Sequence, residues 1–162
     1  MRRRTLAAAL PLLLAGCGFQ LRKAPDFAFD SILIPSTGVI GIDLRRNLVS
    51  NEKLRVLPPT APPAQAQVVL DILSEAREKV VVGLNASGQV REFQLRMRMR
   101  FQMRTPQGKE LIPDTELLLQ RDISFNESAV LAKEAEEAVL YRDMQNDLVQ
   151  QLIRRIAAVK QI

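Results

Sequence analysis

Arg96, Arg98, Arg100 and Arg104 alternate with Leu95, Met97, Met99, Phe101 and Met103 in the middle of this chain. On an extended strand a period of two sends each set to its own face, so the guanidinium groups stand on one side. Neighbouring members of the row lie about 6.5–7 Å apart. Guanidinium forks match the geometry of phosphate and carboxylate, so the row suits an anionic ligand. It is equally well explained as a solvated face, or by carboxylates on neighbouring strands such as Asp71, Glu75, Glu116 or Asp122.

Other chemistries are disfavoured. The chain has no His and a single Cys, so it lacks the parts of a Ser-His-Asp or Cys-His set, of a His-containing zinc site and of a thiolate cluster. It has no glycine-rich phosphate loop. No cofactor or metal is expected. The enzymatic reading that remains is a hydrolase using carboxylates such as Asp71 or Glu92, with no catalytic spacing behind it.

The one cysteine has a clear setting. Arg2, Arg3 and Arg4 precede a mostly apolar run from Leu6 to Ala15, which ends in Leu14-Ala15-Gly16-Cys17. Basic, apolar and small-residue regions in that order form a secretory signal, and the run is far shorter than the ~20 residues needed to span a bilayer. Leu-Ala-Gly-Cys is similar to the lipobox of bacterial lipoproteins. That likeness implies a diacylglyceryl group on the Cys17 thiol, cleavage between Gly16 and Cys17, and acylation of the new amino terminus. Two or more acyl chains anchor stably where one does not. Gly18 replaces the Asp that would favour inner-membrane retention, which points to the periplasmic face of an outer membrane.

Removing residues 1–16 takes three of the 23 basic side chains and none of the 18 acidic ones, leaving a net charge of about +2. The basic pI thus says little about nucleic acid, and no nucleic-acid partner is expected. The expected organisation is a signal peptide at 1–16, a lipidated tether at 17–29 and one domain at 30–162.

The elements that position the arginines follow from periodicity. Asp30–Pro35 predicts a short strand, and Gly38–Ser50 an amphipathic helix with Val39, Ile42, Arg46 and Val49 in step, Ile40, Leu44 and Leu48 beside them and Ser36-Thr37 as caps. Lys53–Leu57 predicts a second short strand, and the prolines of Pro58–Pro63 forbid regular structure. Ala66–Val82, Phe93–Met103 and Glu110–Phe125 predict three long strands, separated by the turn clusters Asn85–Gly88 and Thr105–Gly108. Such strands form an antiparallel meander. Ser128–Val159 predicts a long helix whose apolar stripe runs from Leu131 through Ala135, Ala138, Tyr141, Met144, Leu148, Leu152 and Ile156 to Val159. The expected fold class is α+β, two-layered, with an antiparallel-rich sheet of about four strands and two helices on one face. Met97, Met99 and Met103 are expected beneath a helix rather than in a site.

In that order of elements the chain resembles the LPS-assembly lipoprotein LptE family. The resemblance rests on Cys17-Gly18-Phe19-Gln20-Leu21-Arg22, Glu92-Phe93-Gln94-Leu95, Arg121-Asp122-Ile123-Ser124-Phe125, Leu131-Ala132-Lys133-Glu134 and Gln151-Leu152-Ile153-Arg154-Arg155. It implies a non-enzymatic outer-membrane lipoprotein that plugs and helps assemble an LptD-like β-barrel and binds lipopolysaccharide in transit. It also implies that Lys133 meets lipopolysaccharide. The basic hairpin position of relatives corresponds here to Ala86, with Arg91 a few residues along. Arg91, Arg96, Arg98, Arg100 and Lys133 are therefore the candidate lipopolysaccharide contacts. The competing reading is a stand-alone, periplasm-facing module that binds lipid or polyanion without an obligate barrel.

Overall fold

Strand β4, Val90–Arg104, realises the alternation: Leu95, Met97, Met99, Phe101 and Met103 are buried, while the intervening arginines are not. The computed structural model describes residues 25–162. The signal segment, Cys17 and the first part of the tether lie outside the described residues. The elements preceding β4 are β1 (Ser31–Leu33), α1 (Val39–Val49), β2 (Arg55–Val56) and β3 (Val68–Leu84). Strand β5 (Glu110–Ser124) and the long helix α2 (Val130–Ala158) follow it.

The sheet has five strands in the order β2-β1-β3-β4-β5, with both helices on one face, and each of the five segments read as strands supplies one. The three long strands form the expected meander, with β3 and β5 antiparallel to β4. Both connecting turns place a glycine at positive φ, Gly88 at 80° and Gly108 at 94°, as three-residue-type hairpin loops require. Asn85 holds its own turn, since its Oδ1 accepts from the N–H groups of Ser87 and Gln89. The short strands behave differently. β1 runs parallel to both β2 and β3, because helix α1 carries the chain across between β1 and β2.

Phe101, Met99, Met103, Leu70 and Leu95 form the sheet side of the core, and Leu44, Leu48, Met144, Leu148, Leu152 and Ile156 the helix side. Each such burial stabilises by about 1.5–3 kcal/mol. Val68, Val69 and Leu70 are all buried because both faces are covered there. Val69 joins Leu33, Leu57 and Ala66 in a small cluster on the opposite face, with Ala61 of the proline-rich loop packed against it. That loop is not wholly irregular: Pro63–Gln65 makes one 3₁₀ turn.

Two helix readings change. In α1 the buried stripe is Ile40, Leu44 and Leu48, while Val39, Ile42 and Val49 are exposed. The residue capping α1 is Gly38, without a side-chain bond. Glu75 of β3 instead accepts from the Ile40 N–H at 3.5 Å, and Ser36 Oγ accepts from the Gly38 N–H. In α2 the buried face begins at Met144, and Leu131 is 82% exposed. The first turn is displaced by a 3₁₀ segment, Glu127–Ala129, where Asn126 Oδ1 accepts from the Ser128 N–H at 3.0 Å.

The cause of the second change lies in β3. A bulge between Ile72 and Ser74 reverses the strand's parity, so Glu75, Arg77 and Lys79 pair with Met99, Met97 and Leu95 on the helix-covered face. The amino-terminal half of α2 therefore meets charge rather than an apolar layer. Lys79 bonds Glu137 at 2.6 Å, Tyr141 Oη donates to the Glu78 carbonyl at 2.7 Å, and Arg77 donates to Gln145 at 2.6 Å. Gln145 is buried and also donates to Asp43 of α1, tying three elements together.

This division of α2 is testable by urea unfolding. Leu148→Ala should cost about 2–5 kcal/mol, whereas Leu131→Ser should change stability by less than about 0.5 kcal/mol. Equal costs would contradict the placement of Leu131.

Candidate functional site

The bare face of the sheet carries the arginine row, and the register supplies acids on both sides of it. Arg98 Nη1 bonds Glu116 of β5 at 2.7 Å, with its Nε 3.8 Å from Glu78 of β3. Arg100 grips Asp114 through Nε and Nη2, and Arg104 Nε bonds Asp71 at 2.8 Å. Gln94, on the same face, donates to Asp122 at 3.0 Å. Arg96 differs: its Nε donates to the neutral Gln94 at 2.8 Å, with no carboxylate pairing among the described residues. The hydrogen bond to Glu116 holds the Arg98 guanidinium above its ordinary value, and that to Asp114 does the same for Arg100. Three members of the row, Arg98, Arg100 and Arg104, are thus fixed cations already matched by anions, and Arg96 is not.

Among the partners named from sequence, Asp71 and Glu116 do meet the row, and Asp122 meets its neighbour Gln94. Glu75 does not, since the β3 bulge turns it to the helix side. Glu78 and Asp114 were not legible as partners. Their contacts depend on that bulge and on the irregular pairing of β5 around Ile112 and Thr115.

Lys133 lies elsewhere, in the first turns of α2. Its Nζ donates to Ser124 Oγ at 3.0 Å and to Glu136 at 2.8 Å, and its side chain is 22% exposed. It lines a cleft of about 240 Å³ between the far end of the sheet and the helix, together with Lys79, Phe93, Phe125 and Glu137. Lys79 Nζ sits 4.4 Å from the Phe93 ring centre, and Phe93 meets Phe125 edge-on at 5.3 Å. Two ammonium groups beside two aromatic rings can bind an anion that carries apolar substituents. Arg91 adjoins this cleft through its backbone, its carbonyl accepting from the Phe125 N–H at 2.7 Å, and its side chain is exposed. Ala86 stands exposed in the hairpin turn and brings no charge. The structure thus brings Arg91 and Lys133 to one end of the domain and leaves Arg96, Arg98 and Arg100 on the bare face.

Sequence reasoning missed an apolar surface at that same end: Val81 is 45% exposed, Val82 46% and Leu84 61%. The available signal was Val80-Val81-Val82, three apolar residues in a strand with one bare face. Burial also pushes the Tyr141 phenol above its usual value, helped by Glu137, so it stays a donor to the Glu78 carbonyl. A further cleft, about 640 Å³, lies apart from these groups, between the carboxy-terminal ends of α1 and α2 and beside Pro25 and Phe27. Among the described residues no cluster of His, Cys, Asp and Glu is suited to a metal ion, and no helix is long and apolar enough to cross a membrane.

Comparison with known proteins bears on these surfaces. Residues 29–156 match the family model described as LptE, Lipopolysaccharide-assembly. The LPS-assembly lipoprotein LptE of Yersinia enterocolitica is 28% identical, covering 98% of this chain and 78% of its own. The protein of that name from Pectobacterium atrosepticum is 26% identical over 96% of this chain and 85% of its own. In three dimensions the chain is similar to an uncharacterized lipoprotein B from Nitrosomonas europaea, with TM-score 0.75 and 34% identity, over 87% of this chain and 91% of that one. The rare lipoprotein B of Shewanella oneidensis shares the fold, with TM-score 0.65, 20% identity and coverage of 79% and 94%.

The bridge from the cleft to the helix can be measured by a double-mutant cycle on Lys79 and Glu137. A coupling of about 0.2–1 kcal/mol, reduced in high salt, is expected for a partly exposed pair. Zero coupling at low salt would remove this pair from what holds the amino-terminal half of α2.

Proposed function

The chain belongs to the LptE family of lipopolysaccharide-assembly proteins, and from that premise we propose that it plugs and helps assemble an LptD-type β-barrel while binding lipopolysaccharide on its way to the outer leaflet. It is a non-enzymatic lipoprotein in this reading, held at the periplasmic face of the outer membrane by lipid on Cys17. The observation that carries the proposal is the family match across 29–156, which takes in the whole sheet and nearly all of α2.

The contacts of the candidate residues support a division of labour among them. Lys133 and Lys79 are held by Ser124, Glu136 and Glu137, single surface contacts that a multiply charged phosphate group can replace. Phe93 and Phe125 offer apolar surface beside them. This end, with Arg91 next to it, is the lipopolysaccharide-binding end. Arg98 and Arg100, already matched by acids, belong to the face that packs in the barrel lumen. Arg96, with its neutral partner, is the member of the row that remains free to take an anion.

Extraction of the lipidated protein in mild detergent should bring down a large β-barrel, and a consistently solitary protein would overturn the plug reading. Lys133→Ala should weaken lipopolysaccharide binding about tenfold or more, as loss of a charge-assisted contact does, and leave barrel association intact. Replacing Arg98 and Arg100 together with Gln should have the reverse effect. Loss of lipopolysaccharide binding with the barrel retained would return that row to the ligand.

The anchor has its own test. Cys17→Ala should abolish labelling by radioactive palmitate and move the protein out of the membrane fraction. Retention at the membrane without label would contradict lipid anchoring.

A further inference from the structure

From the outer edge of β5 we propose that this strand docks an extended, basic segment of the barrel partner by strand addition, an inference that rests on the plug reading above. β5 is the last strand of the sheet, and among the described residues nothing pairs with its outer side. From Phe101↔Thr115 to Glu92↔Ser124 its pairing with β4 is unbroken, so the outer edge is regular over the same length. Every second residue there turns its N–H and C=O outward, a ready template for another strand. Proteins usually blunt such edges with proline, lysine or a bulge. Here Pro113 and the register irregularity lie at the Glu110–Asp114 end, and Thr115–Ser124 contains no proline, lysine or glycine.

Charge identifies the occupant. Across the bare face the strands read acid, base, acid: Glu78 on β3, Arg98 on β4, Glu116 on β5. Asp122 repeats the acid further along the edge, and Leu118 lies between them, 38% exposed. A strand added beside β5 continues this order when it brings lysine or arginine opposite Glu116 and Asp122, about 20 Å apart along the strand. A second copy of this chain meets like charges in two symmetric registers. Antiparallel pairing about Leu119 sets Glu116 against Asp122, parallel pairing in register sets each acid against itself, and like charges directly opposite destabilise a sheet. Backbone bonds then supply the affinity and the alternating side chains the choice of partner.

Amide hydrogen exchange of the full lipidated chain, free in detergent and in the complex it co-purifies with, tests this. Within Thr115–Ser124, the outward-facing amides should exchange at least about tenfold slower in the complex, with little change in β3. The pair Glu116→Lys and Asp122→Lys should shorten the lifetime of the complex about tenfold or more. Because Glu116 also holds Arg98, the milder pair Glu116→Gln and Asp122→Asn serves if the first fails to fold, and should shorten it about threefold. Equal exchange of β5 in both states, with the barrel present, overturns strand addition and leaves the plug reading standing. Slowing spread evenly over β3, β4 and β5 overturns it too, since that reports a stiffer domain rather than a paired edge. Protection of the edge in the chain alone at high concentration assigns it to a second copy. A chain that brings down no barrel overturns both readings.

Discussion

Everything else in this domain depends on the burial of one strand face, the odd-numbered side of β4 under two helices. Leu95, Met97, Met99, Phe101 and Met103 are 0–3% exposed, and no other strand presents so long an uninterrupted apolar row. Because side chains alternate strictly along a strand, burying that row obliges the even-numbered residues to emerge on the opposite face. The arginine row is the geometric remainder of the core. Its position requires no separate selection for a site.

That constraint also explains why the row is neutralised where it stands. A strand in the middle of the meander has a neighbour on each side, so Arg98 meets carboxylates on both, Arg100 one on β5 and Arg104 one on β3, while Arg96 has only Gln94. Matched charges cost little on a face with solvent access and fix the register of the meander, since a slip of one residue would turn the arginines into the core. The edge strand β5 has acids bonded back to β4 and, among the described residues, no further strand beside them, so the pattern is closed on one side and open on the other.

The long helix shows what happens where the constraint ends. From Met144 onward α2 lies on the apolar layer and is held by packing. Before that it stands over Arg77 and Lys79 and is held by a lysine–glutamate pair and a phenol–carbonyl bond, with the Arg77–Gln145 bond at the boundary of the two halves. Polar bridges of this kind contribute less than packed side chains and are individually replaceable. The cleft at Lys133 is found in this less committed half, so a bound anion there has few strong contacts to displace. Val82 and Leu84 on β3 and Leu131 on α2, the elements that carry Lys79 and Lys133, are exposed apolar side chains.

Much of this was legible in local pattern. The parity of Phe93–Met103 determined a strand, its buried face and the side on which Arg96, Arg98, Arg100 and Arg104 emerge. The turn clusters determined the meander, and the three- and four-residue steps from Met144 to Ile156 determined the packed half of the helix. Tertiary structure alone decided the rest. The bulge after Ile72 reverses β3, which moves Glu75 away from the arginines, brings Glu78 toward Arg98 and puts charge beneath the first half of α2. The stripe from Leu131 to Ala138 is apolar by spacing and exposed in fact, because no apolar layer lies opposite it. Periodicity is a property of one segment and can be read from it; register, bulges and what lies across a gap belong to pairs of segments, and only the folded chain sets them.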